Sequence, residues 1–184
     1  MRAHLSILIA SVGVLVSPSF GQPVTGERLA PFVPSPQPVV ERMLEAADLK
    51  PYETVYDLGC GDGRILITAA RDFRAKAVGV ELSAKLVKDA REQVKKLGLE
   101  NRVTILQDDL MKVDLRPADV VTVYLLTEAN DQLKPAFVKA LHRGARVVSH
   151  DFKIRGWKPD HVEEVVAYNR KHTIYVYVMP PTKD

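Results

Sequence analysis

One cysteine, Cys60, is all that the 184 residues contain. An intrachain disulfide and a thiolate metal cluster are thereby excluded. Its place between Gly59 and Gly61 suits a small side chain in a tight turn better than a nucleophile. The five histidines (His4, His142, His150, His161, His172) show no ligand spacing on any one predicted element, so no metal site is expected. No G-x-S-x-G occurs, which removes the serine-hydrolase elbow. No dense Lys/Arg block occurs either. With Lys+Arg 26 against Asp+Glu 23 the net charge is +3, and charge gives no reason to expect nucleic acid as a partner. The apolar run from Leu5 to Val16 is short for a membrane-spanning helix.

What is present reads as soluble and globular, with 46% hydrophobic and 27% charged residues, and as one domain long enough to bury a sizeable core. Residues 1–21 are a different material. Arg2, the apolar run and Ser17-Pro18-Ser19-Phe20-Gly21 form an n-region, h-region and small-residue cleavage site, a signal peptide cut after Gly21. An uncleaved N-terminal anchor and a misassigned start are the alternatives. The expected location is periplasmic or secreted, with membrane-anchored or cytoplasmic as alternatives. Residues 22–38 form a proline-rich arm with Pro23, Pro31, Pro34, Pro36 and Pro38, which forbids a regular helix or central strand. Phe32 and Val33 favour an arm that packs over a pocket. Residues 39–184 form the main domain.

The domain is organised around Val55-Tyr56-Asp57-Leu58-Gly59-Cys60-Gly61-Asp62-Gly63-Arg64-Ile65. A short apolar strand ends in three alternate glycines, and a helical pattern follows at once. That is the layout of a nucleotide site at the carboxyl edge of a parallel sheet. The dinucleotide fingerprint is G-x-G-x-x-G; here Gly59, Gly61 and Gly63 read G-x-G-x-G, flanked by Asp57 and containing Asp62. Two carboxylates would repel a pyrophosphate. They suit a ligand that carries an ammonium or sulfonium charge, which points to S-adenosylmethionine, with Asp57 or a loop backbone group near its amino-acid end.

The rest of the chain alternates. Pro38 to Leu49 is an amphipathic helix. Ala77 to Glu81 is a second strand ending in an acid, about twenty residues after Gly59, where a carboxylate accepts from ribose hydroxyls. The helix Ala84 to Leu97 turns Leu86, Ala90, Val94 and Leu97 inward. Val103 to Leu106 is a third strand, and Asp108 and Asp109 follow it, placed to accept from an adenine amino group, with Asp109 ahead of Asp108. Asp119 to Leu126 is a central strand, a helix follows through Leu141, and Arg146 to Ser149 is a fifth strand. Ile154 to Trp157 is a loop, and Val162 to Tyr168 with Thr173 to Met179 form a closing antiparallel hairpin. The expected fold is α/β: a Rossmann-like sheet of about seven strands with helices on both faces.

The order of Asp57-Leu58-Gly59-Cys60-Gly61-Asp62-Gly63, then Glu81, then Asp108-Asp109 resembles the class I, seven-β-strand S-adenosylmethionine-dependent methyltransferases. A narrower likeness rests on Pro31-Phe32-Val33-Pro34-Ser35-Pro36, Gly61-Asp62-Gly63-Arg64-Ile65, Tyr124-Leu125-Leu126-Thr127 with Leu133-Lys134-Pro135, and Val148-Ser149-His150-Asp151-Phe152 with Arg155-Gly156-Trp157. These resemble the non-SET protein lysine methyltransferases of archaea and their mitochondrial relatives, over roughly Pro31 to Val178. The resemblance implies a small catalytic domain that methylates lysine side chains on proteins, and an arm that places Pro34 and Ser35 at the cofactor. Two departures are the export segment and Asp109, where some of the archaeal proteins carry an amide.

On that resemblance Tyr124 and His150 are the candidate catalytic residues, to orient the amine or help take its proton. Leu125, Thr127, Phe152 and Trp157 are the candidate walls of a lysine channel at the carboxyl edges of strands 4 and 5. The expected partner is a protein with an exposed lysine, and the chain itself is expected to be a monomer without a stable partner. Nucleobase methylation is disfavoured, since Tyr124-Leu125-Leu126-Thr127 stands where an Asn/Asp-Pro-Pro-aromatic motif would follow strand 4. A small-molecule methyltransferase and a non-catalytic exported binding module are the alternatives.

Overall fold

Pro36 holds the extended backbone ahead of α1 (Gln37–Ala46), and a proline sits in the helix's first turn, where a missing N–H costs no hydrogen bond. Val39, Val40, Met43 and Leu44 share the inward face and are buried. The structure, a computed structural model, describes residues 32–184. The segment expected at 1–21 and the arm up to residue 31 lie outside the described residues. No helix among the described residues is long and apolar enough to cross a membrane.

Strands and helices then alternate: β1 (Thr54–Leu58), α2 (Arg64–Asp72), β2 (Lys76–Glu81), α3 (Ala84–Lys96), β3 (Val103–Gln107), β4 (Val120–Val123), α4 (Thr127–Ala140) and β5 (Arg146–His150). The chain goes on to β6 (Trp157–Lys158), β7 (His161–Ala167), β8 (Arg170–Val178) and β9 (Thr182–Lys183). The main sheet has the order β3-β2-β1-β4-β5-β8-β7. Neighbours from β3 to β5 are parallel, and β8 runs antiparallel to both β5 and β7. The chain starts in the middle of the sheet, winds outward to β3, then returns to β4. Winding therefore reverses between β1 and β4, and the crevice that this opens at their carboxyl ends is where α/β sheets bind ligands.

Two apolar layers flank the sheet. One joins α1, α2 and α3 to the strands through residues such as Met43, Leu66 and Ala90. The other packs Leu133 and Phe137 of α4 against Val121, Val147, Trp157 and Tyr177. The first layer leaves no room at Gly79 on β2: a Cβ there would stand 2.4 Å from Leu66 Cδ1 and 2.6 Å from Cys60 Sγ. Gly79→Ala is expected to cost about 1–3 kcal/mol by overpacking, measured by denaturant unfolding.

Three details differ from the sequence reading. On α3 it is Val87, Ala90 and Val94 that are buried; Leu97 is 48% exposed because the helix ends at Lys96, and Gly98 with φ +66° turns the chain away. The expected hairpin is present, but its turn is the pair Tyr168–Asn169, both at positive φ, with Ala167 paired to Arg170. The expected Ile154–Trp157 loop ends in a two-residue strand, Trp157–Lys158 paired with Thr182–Lys183. Strands this short carry no periodicity to read.

Candidate active site

The turn after β1 is knit to β2 by the Gly59 and Cys60 N–H groups, which donate to Val80 O at 2.8 and 3.1 Å. Gly61, at φ +54°, lies against the arm: a Cβ there would meet the Phe32 ring at 2.3 Å. Only glycine lets the aromatic ring rest on bare backbone at this point. Gly63, at φ +78°, precedes the first residue of α2. Around this turn lies a cavity of about 860 Å³, counting space open to solvent. Pro34, Ser35, Asp57, Gly59, Glu81, Asp108, Asp109, Tyr124 and Leu125 all line it, together with Phe32, Val33, Leu82, Leu86 and Leu110. Gly61 and Gly63 shape the turn without lining the cavity.

Register decides the carboxylates. Asp57 pairs with Thr122 across β1 and β4, and the Thr122 hydroxyl donates to Asp57 Oδ1 at 2.7 Å. Burial pushes the Asp57 carboxyl up to about 7, against the pull of Thr122 and with the help of the Asp62 and Glu81 charges. Glu81 ends β2 and reaches back: Oε2 accepts the Gly61 N–H at 3.2 Å and Oε1 the Ser83 N–H at 2.8 Å. Asp108 accepts from the Asp109 N–H at 2.7 Å, and Asp109 from the Met111 N–H at 2.9 Å. The Cys60 thiol is pushed up by burial and by the Asp57 and Glu81 carboxylates, which keeps it protonated.

Asp62 has a different job from the one its position suggested. Its carboxylate grips the Arg64 guanidinium at 3.0 and 3.1 Å, and Arg64 Nη1 donates to Ser35 O at 2.8 Å. The pair fastens the arm over the cleft. Among the described residues that line the cavity, Arg64 is the one cation, and it is already paired. A diphosphate would meet five carboxylates, of which only Asp62 is paired with the one lining cation. A ligand with a cationic end and a nucleoside fits such a lining, which offers the carboxylates of Asp57, Glu81, Asp108 and Asp109 and the apolar side chains of Leu82 and Leu110.

The candidate catalytic residues occupy two depths. Tyr124 lines the cavity. His150 is fully buried behind it, stacked on the Tyr124 ring with centroids 3.8 Å apart. His150 Nδ1 meets Ser35 Oγ at 2.9 Å and its Nε2 meets His172 Nδ1 at 2.9 Å. Burial depresses His150 to about 4, with His172 and Arg170 adding to the fall and Asp151 opposing it, so the ring is neutral at pH 7. Of the expected channel residues, Leu125 lines the cavity, Thr127 is the first residue of α4, and the Phe152 ring stands 6.0 Å from that of Tyr124. Trp157 requires correction: it is buried in the second core layer, 5.8 Å from the Tyr177 ring and 6.3 Å from Phe137, because pairing of β6 with β9 draws it away from the cleft.

Sequence spacing kept His150 and His172 apart, but β5 and β8 pair His150 with Ile174 and so bring His172 alongside. Asp151 completes a cluster whose ligand atoms lie 2.9, 3.2 and 3.5 Å apart. That spacing would admit a metal ion; His150 Nε2 and His172 Nδ1 contact each other and Asp151 Oδ2, which also meets Tyr124 and Arg170. His172, Thr122 and Arg64 were not among the expected site residues, and Asp151 was expected only as an acid that could attract a basic substrate. Asp151 and Arg64 adjoin residues singled out in the sequence; His172 and Thr122 are found only through strand register.

The crevice at the reversal of winding, the acid-lined cleft and the glycine turn define a Rossmann-like S-adenosylmethionine-dependent methyltransferase. Residues 57–161 match the family described as the ANTKMT methyltransferase domain, and the chain belongs to that family. It is 49% identical over 150 residues to a protein-lysine N-methyltransferase of Saccharolobus islandicus (strain REY15A), covering 81% of this chain and 93% of that protein. It is 36% identical over 129 residues to the adenine nucleotide translocase lysine N-methyltransferase of Mus musculus, covering 70% of this chain and 56% of that longer protein. The crystal structure of an RNA methyltransferase from Salinibacter ruber in complex with S-adenosyl-L-homocysteine is 44% identical, with a TM-score of 0.75 over 80% of this chain and 94% of that one.

Proposed function

We propose that this enzyme methylates lysine side chains of proteins, on the strength of its 49% identity over 150 residues to the Saccharolobus protein-lysine N-methyltransferase. S-adenosylmethionine supplies a methyl group on a positively charged sulfur, which keeps the bonding pair as the acceptor nitrogen takes the carbon. The protein's part is alignment and deprotonation. A lysine amine must be neutral to attack, and its ordinary pKa is about 10.4. Tyr124 and Leu125 at the end of β4, with the Phe152 ring beside them, offer a partly apolar wall that disfavours the ammonium form. Tyr124 lines the cavity, and its hydroxyl donates to Asp151 Oδ2 at 3.4 Å. His150, neutral and out of reach of a substrate in the cavity, holds the Tyr124 ring from behind and the Ser35 hydroxyl of the arm.

The net charge of +3 and the absence of a basic block support a protein acceptor over nucleic acid, and the proposal takes the chain as a monomer. The Salinibacter neighbour gives RNA as the competing acceptor, and a small molecule is the third. Residues 1–21 are taken as an export signal or anchor, 22–38 as the arm and 39–184 as the catalytic domain. The test is transfer of labelled methyl from S-adenosylmethionine to lysate protein and lysate RNA, read at residue level by mass spectrometry. Methyl on lysine Nζ is expected. Label confined to RNA, small molecules or other side chains would overturn the lysine reading.

A further inference from the structure

We propose that Asp151 receives, through the Tyr124 hydroxyl, the proton that the acceptor amine must lose, and returns it to solvent beside Arg170. This rests on the lysine reading above and adds a residue to it. Asp151 follows β5 with φ +60°, a left-handed conformation that Asn and Asp adopt more readily than other non-glycine residues. Two bonds to the β8 backbone, one from the Asp151 N–H and one to its carboxylate, hold it: Asp151 N–H donates to Thr173 O at 2.7 Å, and Thr173 N–H donates to Asp151 Oδ1 at 2.8 Å. The bend throws Oδ2 back toward the cavity wall. There it stands 3.4 Å from the Tyr124 hydroxyl, 3.2 Å from His172 Nδ1 and 3.0 Å from Arg170 Nη2. Three strands thus converge on one oxygen: Tyr124 from the end of β4, His150 at 3.5 Å from β5, and His172 and Arg170 from β8.

The geometry gives the carboxylate two faces. Tyr124 lines the cavity and the Asp151 side chain behind it is largely buried, while the Arg170 side chain beyond is 62% exposed. The proton step balances. An amine N–H breaks as a Tyr124 O–H forms; the original Tyr124 O–H breaks as an Asp151 O–H forms; water at the Arg170 side takes that proton. Rotation of the phenol hydroxyl resets the pair, with no change in net charge over the cycle. His172 and His150 are positioning residues: one fixes the carboxylate, the other the ring. The 3.4 Å Tyr124–Asp151 separation is of the kind that tightens once a substrate is in place.

Asp151→Asn is the test, because asparagine tolerates the same left-handed backbone and keeps an accepting oxygen but cannot take the proton. Methyl transfer to poly-L-lysine is expected to fall about a hundredfold at pH 7, with S-adenosylhomocysteine affinity within about twofold of the parent. The deficit should narrow as the pH climbs toward the amine's own pKa. Tyr124→Phe should cost the same, and the double variant no more than either. A second readout needs no acceptor. Burial and the Asp151 charge hold the Tyr124 phenol above its usual value, so in Asp151→Asn its ¹³Cζ resonance should titrate at lower pH. Equal titration curves, or an unchanged pH–rate profile in Asp151→Asn, would overturn the relay. So would Zn²⁺ raising the melting temperature of the parent and not of Asp151→Asn, since the carboxylate would then be a metal ligand. If the tyrosine titration shifts but no lysine is methylated, the acceptor assignment fails and the Tyr124–Asp151 coupling survives it.

Discussion

Glu81→Lys is expected to weaken S-adenosylhomocysteine binding by at least about a hundredfold, with the domain still folded. Two hydroxyl bonds to a carboxylate at about 1.5 kcal/mol each amount to roughly 3 kcal/mol, and each 1.4 kcal/mol is a factor of ten. The lysine also removes the acceptor that holds the Gly61 and Ser83 N–H groups, so the glycine turn loosens with it. Glu81→Gln separates the two effects. Its amide oxygen still accepts from one of those N–H groups, but the charge is gone, and a loss of about tenfold is expected from the weaker neutral bond. Calorimetric titration of S-adenosylhomocysteine into each variant is the measurement. Unaltered affinity in Glu81→Lys would remove the ribose assignment, and with it the reading of the whole cleft.

Asp57→Asn is expected to raise the stability of the protein without cofactor, and to do so only above pH 4. Asp57 is buried and its carboxyl sits at about 7, against an ordinary value of 3.8. The folded state therefore keeps a proton that the unfolded chain gives up. Stability from this group is fully present below pH 4, is lost as the pH rises through 7, and is flat above. Three pH units correspond to about 4 kcal/mol in order of magnitude. The asparagine variant keeps the Thr122 bond and carries no such penalty. The two melting temperatures should agree near pH 4 and part by about 10 °C at pH 8. A cationic ligand reverses the balance, since it favours the ionised carboxylate. Affinity for S-adenosylmethionine should rise from pH 5 to 7 with proton release, and Asp57→Asn should flatten that rise. Parallel melting curves of the two proteins at every pH would refute the assignment.

The sheet was legible in the sequence because each parallel strand is a short apolar run closed by chemistry of its own. Glycines close β1, Glu81 closes β2 and Asp108-Asp109 follow β3. The same endings named most of the cleft, since in a parallel sheet all the carboxyl ends meet at one edge. What escaped was anything set by pairing between distant strands. The Asp57–Thr122 bond depends on the register of β1 and β4, and the His150–His172 contact on that of β5 and β8, and neither register has a local signal. Trp157 misled for the opposite reason. It is close in sequence to His150 and Phe152, yet two paired residues at Thr182–Lys183 suffice to swing it into the core. Asp62 read as bare negative charge until the neighbouring Arg64 was seen to cancel it.

The strand order has a consequence for how the polypeptide comes into being. β8 lies between β5 and β7, both of which a ribosome makes before it. Without β8, β7 has no strand partner and one edge of β5 is unpaired, and His150 and Asp151 lack His172, Arg170 and Thr173. β8 thus completes both the sheet and the cluster around Asp151.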